Sequence, residues 1–467
     1  MLPAAAVIPA MLLPGFPLLL FAVPDPKSWL LLLPLAVSIG YREFSMGAFP
    51  VFLSVLLMLA GYTIYLTGRL SQRSSGVAEK RFAWLVISAY LAQIVALLVS
   101  VHVNGQQPSN AFRESHKYFI HAPMAFIVMT WYRDSPWFTR MLKALVVTLL
   151  VVSIYGIYQF HSGGAWSVGE VASGYDIQGR VFSSFRGGAN SYSGFLELVV
   201  PLVLASSFHF PRKGWRIAGF ITTALGILNG LYTYSRGGFI TISLACLAYL
   251  IFRFRKRVWV PFLSLAVFSG VVAFNAETFH RQLVLITDPS SMVLEATLLH
   301  RYISYSRYIE DISAHPVTGV GWGAREYYAG GTSFYSFWEV RHERSIDHIE
   351  HFGGLNSLVF DMILKGGIAS GISLILIAAS SLYVALKAYR NRGDSDLPVG
   401  LIAGLAAFWA HQTVDNLLQW PQTGTFFWIT LGLLAVLAGQ KGESPYINAD
   451  YSGEDTGATQ STLPTRE

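Results

Sequence analysis

The sequence predicts an all-α polytopic membrane protein of about twelve transmembrane helices, and three observations carry that prediction. Apolar residues make up 53% of the 467 positions and charged residues only 13%, whereas a soluble domain is about one-quarter charged. Mean hydropathy is +0.46. The apolar residues fall in long runs, close to the roughly 20 residues a helix needs to cross a hydrocarbon core, and not in the short alternating segments of a membrane β-barrel.

Apolar spans are expected near 48–67, 83–102, 116–132, 142–160, 190–208, 215–234, 237–253, 258–274, 355–386, 397–418 and 424–440. Residues 4–41 hold a further span, broken by Pro24, Asp25 and Pro26 into one interrupted helix or a hairpin. This first run lacks a basic leading segment and a small-residue cleavage site, so it is expected to be retained and not removed as a signal peptide. The single cysteine, Cys246, lies inside an apolar run and permits no intrachain disulfide.

The linkers sort by charge. One set carries Arg69, Arg73, Lys80 and Arg81; Arg133, Arg140 and Lys143; Arg212, Lys213 and Arg216; Arg253, Arg255, Lys256 and Arg257; and Lys387, Arg390 and Arg392. The alternate set, 103–115, 160–189, 235–236, 275–354 and 419–423, is sparser in cations. Cytoplasmic loops carry the excess of Lys and Arg, so the first set is expected in the cytoplasm and the second on the outer face. The net charge of +6 then reflects topology and implies no nucleic-acid partner. The expected organisation is an N-terminal transmembrane bundle over 1–274, one large outer loop over 275–354 between the ninth and tenth spans, C-terminal transmembrane helices over 355–440, and a polar, disordered cytoplasmic tail over 441–467. No internal repeat of the kind that builds many carriers is evident.

The outer segments hold the residues with chemistry. Arg180 and Arg186 lie in GRVFSSFRGGAN, Arg236 in YSRGG between two spans with almost no loop, and Arg301 in LLHRYISYSRYIED. Charge beside hydrocarbon is costly and tends to be functional, and the guanidinium fork fits phosphate oxygens. Several such arginines on one face suit a diphosphate or a polyanionic head group. The plainer alternative is interfacial snorkelling, or pairing with Glu170, Asp176 or Glu310. In RHERSIDHIEH, His348 and His351 are three apart and share a helical face, as do Asp347 and Glu350. A histidine oriented by a carboxylate can act as general base; a solvated ion-paired surface and a metal-ligand pair are the competing readings, the latter without a supporting framework motif. Glu197, the Asp361/Lys365 pair four residues apart, and Asp415 with Asn416 are polar groups in or near spans, each a site candidate or a helix–helix hydrogen bond. GVGWG at 319–323 reads as a tight turn and not a phosphate cradle.

Five segments together resemble the O-antigen ligase/polymerase superfamily, bacterial inner-membrane glycosyltransferases. They are GRVFSSFRGGANSYSGFLELVVPLVL, YTYSRGGFIT, HPVTGVGWG, LNSLVFDMILKGGIASGISLI and AHQTVDNLLQWPQTGTFFWITLGLL, in that order along the chain. One departure is clear: where the family has His before Asn, Leu355 precedes Asn356, which shifts the expected catalytic histidine upstream to His348 or His351. The resemblance implies a GT-C-like fold and a metal-independent, inverting-type transferase without a cofactor. It implies transfer of a glycan from undecaprenyl diphosphate to a hydroxyl of lipid A-core on the periplasmic face of the inner membrane, in lipopolysaccharide biosynthesis. Arg236, Arg186, Arg180 and Arg301 are then expected to bind the diphosphate, with Asp347, Asn356, Asn190 and Asp415 in support. O-antigen polymerisation and protein or pilin O-glycosylation share the donor chemistry and remain alternatives, as does an anion transporter that uses the same arginines.

Overall fold

The computed structural model describes residues 77–133, 135–162, 181–185, 188–257, 308–324, 357–391 and 395–440, with isolated helical positions at 31–38, 259–266 and 305. The described residues form an all-α protein. Among the described residues the α-helices are α1 Val77–His102, α2 Pro108–Ser115, α3 Pro123–Trp131, α4 Ser135–His161, α5 Gly188–His209, α6 Lys213–Tyr232, α7 Arg236–Arg253, α8 Leu358–Asn391, α9 Leu397–Gln412 and α10 Pro421–Gly439. A short helical segment also runs through 308–314. Six of these helices are long and apolar enough to cross a membrane: α1, α4, α5, α7, α8 and α10. At about 1.5 Å per residue, α1 alone is on the order of 39 Å long, beyond the roughly 30 Å of hydrocarbon. The expected span 48–67, most of the expected loop 275–354, the tail beyond 440 and nearly all of 4–41 and 258–274 lie outside the described residues.

Two helices form the interior. α5 packs against α4, α6, α7, α9 and α10, and α10 packs against α1, α3, α5 and α8. Both are buried on nearly every side, so neither needs a solvent-facing polar face, and the polar side chains of α5, Glu197 among them, are buried inside the bundle with the apolar ones. The surrounding helices bury one face and expose large apolar residues on the other. On α1 these are Trp84, Leu91, Val95 and Leu98; on α8 they are Ile368, Ile372, Ile375, Leu382 and Leu386. The spacings of three, four and seven make each set a single stripe. Apolar stripes of that extent are unfavourable against water and match a lipid surface, which makes this a multi-pass membrane protein.

Small residues set how closely the helices approach. A Cβ on Gly404 of α9 would lie 2.7 Å from the Glu197 carbonyl of α5. Pro201, one turn later inside α5, has no N–H with which to bond that carbonyl. Gly226 of α6 admits Val200 in the same way. Backbone approach through small residues is the usual basis of packing between membrane helices.

The ends of the helices sort by charge as the linkers predict. Lys80 and Arg81, Arg140 and Lys143, Lys213 and Arg216, Arg253 and Arg390 lie at one end of their helices, and this defines a basic end of the bundle. Hydrogen bonds tie some of these ends together: Asn391 donates to Ala438 O at 2.7 Å and Gln440 to Arg133 O at 3.0 Å, which joins the ends of α8 and α10 and the segment before α4. At the same end, Asp396 before α9 pairs with His209 of α5 and with Arg253 of α7, the latter at 3.1 Å, and accepts from Tyr249 at 3.2 Å. Burial opposes ionisation of Asp396, but the hydrogen bond and charge of His209, together with Arg253 and Tyr249, hold its carboxyl below the usual range. A carboxyl depressed by folding stabilises the native state above its unfolded value of about 3.9, and that contribution is lost as pH falls through the lower folded value. Asp396→Asn is therefore expected to lower the thermal midpoint in detergent at pH 7. The gap to the unsubstituted protein should close as the pH is taken below 4, and a gap constant over that range would count against the pairing.

One expected span differs. Residues 116–132 are not a continuous helix. A 3-10 turn at His116–Tyr118 and a run of turns lead into the nine-residue α3, which at about 1.5 Å per residue reaches roughly 14 Å, half of a membrane. Hydropathy registers the apolar composition of this segment. The break follows from Pro123 at the start of α3, a residue suited to a helix's first turn, and from the polar turn before it.

Candidate functional site

The other end of the bundle gathers the C-termini of α1, α4, α6 and α9 and the N-termini of α5, α7, α8 and α10. Here three polar arrangements are built into apolar surroundings.

The first surrounds Arg236. The chain leaves α6 at Thr233, turns through Tyr234 with φ of 49°, and enters α7 at Arg236. No acidic residue occupies the first turn of α7, so its N–H groups and the guanidinium put positive potential at one point. Gly237 and Gly238 follow, where there is little room at the first and none for a side chain at the second. A Cβ on Gly237 would sit 3.2 Å from the His411 imidazole of α9, and one on Gly238 would overlap the Ser193 hydroxyl of α5. Behind them, His411 Nδ1 lies 2.5 Å from Glu197 Oε1 and the Thr241 hydroxyl 2.7 Å from the same oxygen. Glu197 and His411 are buried.

The second arrangement joins Asn190, at the start of α5, to Asp415. Asn190 donates to Asp415 Oδ2 at 2.5 Å, and Asp415 Oδ1 accepts from Asn416 N–H at 2.8 Å. Asn190 lies one turn before Ser193, which faces Gly238, and Asp415 lies one turn after His411, which faces Gly237. Arg236, Asn190 and Asp415 therefore stand on adjoining helix ends. Close by, residues 181–185 are held to α4 and α6: Ser183 N–H donates to Gln159 Oε1 at 2.8 Å and Val181 N–H to Tyr232 O at 2.9 Å.

The third arrangement is an ionised pair inside the bundle. Asp361 and Lys365, one turn apart on α8, form an ion pair, as their spacing allows. Tyr118 donates to Asp361, and the Asn416 amide reaches Asp361 Oδ2 and the Tyr118 oxygen at 2.8 Å each. The Lys365 ammonium also sits 5.7 Å from the centroid of the Trp322 ring. Buried charge at this depth is tolerable because each group has a counter-charge and hydrogen bonds.

Trp322 belongs to the turn HPVTGVGWG, and its role is structural. The turn docks onto α8 where that helix breaks at Gly367, whose φ is 57° and ψ −148°. Val320 N–H donates to Leu364 O, Gly321 N–H to Lys365 O and Ile368 N–H to Val317 O. From the α1 side, Asn104 donates to the carbonyl of Gly319 at 3.1 Å, and Ser100 accepts from Trp322 N–H at 2.9 Å. The indole N–H reaches Ser370, which donates to Gln93. The glycine-rich run is thus a tight turn that closes a broken helix.

Of the residues singled out in the sequence, the structure describes Arg236, Asn190, Asp415, Asn416, Glu197, Asp361 and Lys365, and it brings Arg236, Asn190 and Asp415 to one end of the bundle. His348, His351, Asp347, Arg180, Arg186, Arg301 and Asn356 lie outside the described residues. Among the described residues, no three His, Cys, Asp or Glu side chains lie together in a way that could hold a metal ion. The sequence singled out Glu197 but not its partners His411 and Thr241. The i, i+4 spacing of His411 and Asp415 was the available signal, since it sets both on one side of the end of α9.

A family model, Wzy_C, described as O-antigen ligase, matches residues 221–376. The matched stretch runs from within α6, through Arg236 and the HPVTGVGWG turn, into α8. No curated protein matches the chain.

Proposed function

We propose, for a chain that contains this Wzy_C domain of the O-antigen ligase/polymerase family, that it transfers a glycan from undecaprenyl diphosphate to a hydroxyl of lipid A-core at the periplasmic face of the inner membrane. The observation that carries this reading is that Arg236, inside the matched stretch, begins a helix at the end of the bundle opposite the basic end. The positive-inside rule puts a basic end in the cytoplasm, which supports an outer-surface position for Arg236.

The chemistry follows from charge. Arg236, with Arg186, Arg180 and Arg301, holds the diphosphate. As the bond from the sugar C1 to the diphosphate oxygen breaks, negative charge grows on undecaprenyl diphosphate, and fixed guanidinium charge and helix N–H groups stabilise it. The acceptor hydroxyl attacks C1 from the opposite face and inverts the anomeric centre. Its proton passes to His348 or His351, oriented by Asp347, while Asn190, Asp415 and Asn356 support the site. The donor already carries the activation energy, so no nucleotide is required, and the arginines take the role often given to Mg²⁺.

The test is reconstitution of the purified protein in liposomes with a lipid-linked glycan donor, EDTA and one of three acceptors: lipid A-core, a second glycan-lipid, or a protein acceptor. Transfer to lipid A-core in EDTA is the expected result. Transfer only to a second glycan-lipid or to a protein would make the chain a polymerase or a protein O-glycosyltransferase. Movement of an anionic solute without release of undecaprenyl diphosphate would favour a transporter. His348→Ala combined with His351→Ala is expected to lower transfer by about 10²- to 10⁴-fold, the usual contribution of a general base; unchanged turnover would place the base elsewhere.

A further inference from the structure

The transfer chemistry above gives no role to the cluster of Glu197, Thr241 and His411. It joins three helices, α5, α7 and α9, inside the membrane-spanning bundle. Glu197 Oε1 meets both His411 Nδ1, at 2.5 Å, and the Thr241 hydroxyl, at 2.7 Å. Its second oxygen, Glu197 Oε2, is buried without a hydrogen-bond partner among the described residues. A polar group left in that state costs free energy, so the cluster is a poor device for stability alone. What it supplies is direction. Apolar helix faces can slide or rotate against each other at small cost, whereas a three-way hydrogen-bonded contact fixes both depth and rotation.

The fixed element is the start of α7. The far edge of the His411 ring, Cδ2 and Nε2, rests against Gly237, where even a methyl group would come within 3.2 Å. The Thr241 hydroxyl lies 2.9 Å from the Gly237 carbonyl, so the same side chain ties the first turn of α7 to Glu197. Gly238 is pressed onto Ser193 of α5. Arg236 is the residue immediately before this clamped pair.

We propose that Glu197, His411 and Thr241 are positioning residues for Arg236. Their hydrogen-bonded contact with the first turn of α7 sets where the guanidinium meets the donor diphosphate, and they touch neither substrate. This rests on the assignment of Arg236 to the donor diphosphate. A displaced guanidinium weakens donor binding and stabilises the departing diphosphate less. The acceptor is bound by other groups, so its KM is untouched.

The experiment measures KM for donor and acceptor separately, with kcat, in proteoliposomes normalised to folded protein. His411→Phe keeps a ring against Gly237 and removes the hydrogen bond; Glu197→Leu removes it from the other side. Each is expected to raise the donor KM by about tenfold and to lower kcat, the scale of one buried hydrogen bond, with the acceptor KM within twofold. Glu197→Gln keeps an oxygen facing His411 and is expected to recover most of the loss. The double variant should be no worse than Glu197→Leu alone, since that change already removes the contact that His411→Phe breaks. Thr241→Val, equal in volume, provides a milder form if the others fold poorly, with a donor KM raised about threefold on the same scale. A donor KM within twofold of wild type in His411→Phe and Thr241→Val, or equal changes for donor and acceptor, would overturn the proposal. Arg236→Ala measured in parallel separates the two levels. If it also leaves the donor KM unchanged, the diphosphate assignment itself fails; if it raises the donor KM while the cluster variants do not, only the positioning role fails.

Discussion

Arg236→Ala is expected to lower glycan transfer by at least about 10²-fold, the loss typical when one donor to a developing oxyanion is removed. Arg236 as a residue is half-buried at the end of the bundle, where the local dielectric is lower than in water and each charge contact is worth more. The arginine fork makes two parallel bonds to phosphate oxygens, which an ammonium cannot. Arg236→Lys is therefore expected to lie between wild type and alanine and to recover charge without geometry. Initial rates in proteoliposomes at saturating acceptor, corrected for folded protein, are the measurement. Full activity in Arg236→Ala would remove this residue from the chemistry.

Gly367→Ala is expected to lower the yield and thermal midpoint of folded protein sharply. Its backbone, at φ 57° and ψ −148°, lies in a region essentially reserved for glycine, where another residue costs on the order of 1–3 kcal/mol. A Cβ there would also overlap the Val317 carbonyl, and relief of such overpacking costs about 1–3 kcal/mol more. The two together are a large share of the roughly 5–15 kcal/mol that holds a typical domain together. Gly319→Ala attacks the same contact from the other side. Its φ is +64°, and a Cβ would come 2.6 Å from Leu364 O and 2.7 Å from Gly367 N. Gly371→Ala is the control, since the added methyl meets only Ile363 at 3.7 Å. Monodisperse yield and thermal midpoint in detergent should fall sharply for the first two variants and hold for the third. A normal midpoint for Gly367→Ala would mean that the turn at 315–324 does not close the broken helix.

The helical class was legible because composition and run length decide it: Gly188–His209 and Pro421–Gly439 are recognisable as spans from hydropathy alone. The basic end was legible because Lys and Arg cluster at alternate helix ends. The Asp361–Lys365 pair could be foreseen because i, i+4 spacing is a local property of a helix. Three features were hidden. The break before Pro123 sits in a segment whose average hydropathy is that of a span. The break at Gly367 depends on carbonyls and amides of a turn some fifty residues earlier. The partner of Glu197 is His411, more than two hundred residues away, and only helix packing brings them together. Burial separates these cases: local spacing predicts contacts within one helix, while contacts between helices follow from which small residues let backbones approach.

The assignment of Arg236 rests on recognition of a diphosphate. Affinity for undecaprenyl diphosphate and undecaprenyl monophosphate should be compared in nanodiscs for the wild-type protein and for Arg236→Ala. Wild type is expected to prefer the diphosphate by about tenfold or more, the value of one well-made charge-assisted contact, and Arg236→Ala to lose most of that preference. Equal preference in the two proteins would contradict the proposed site.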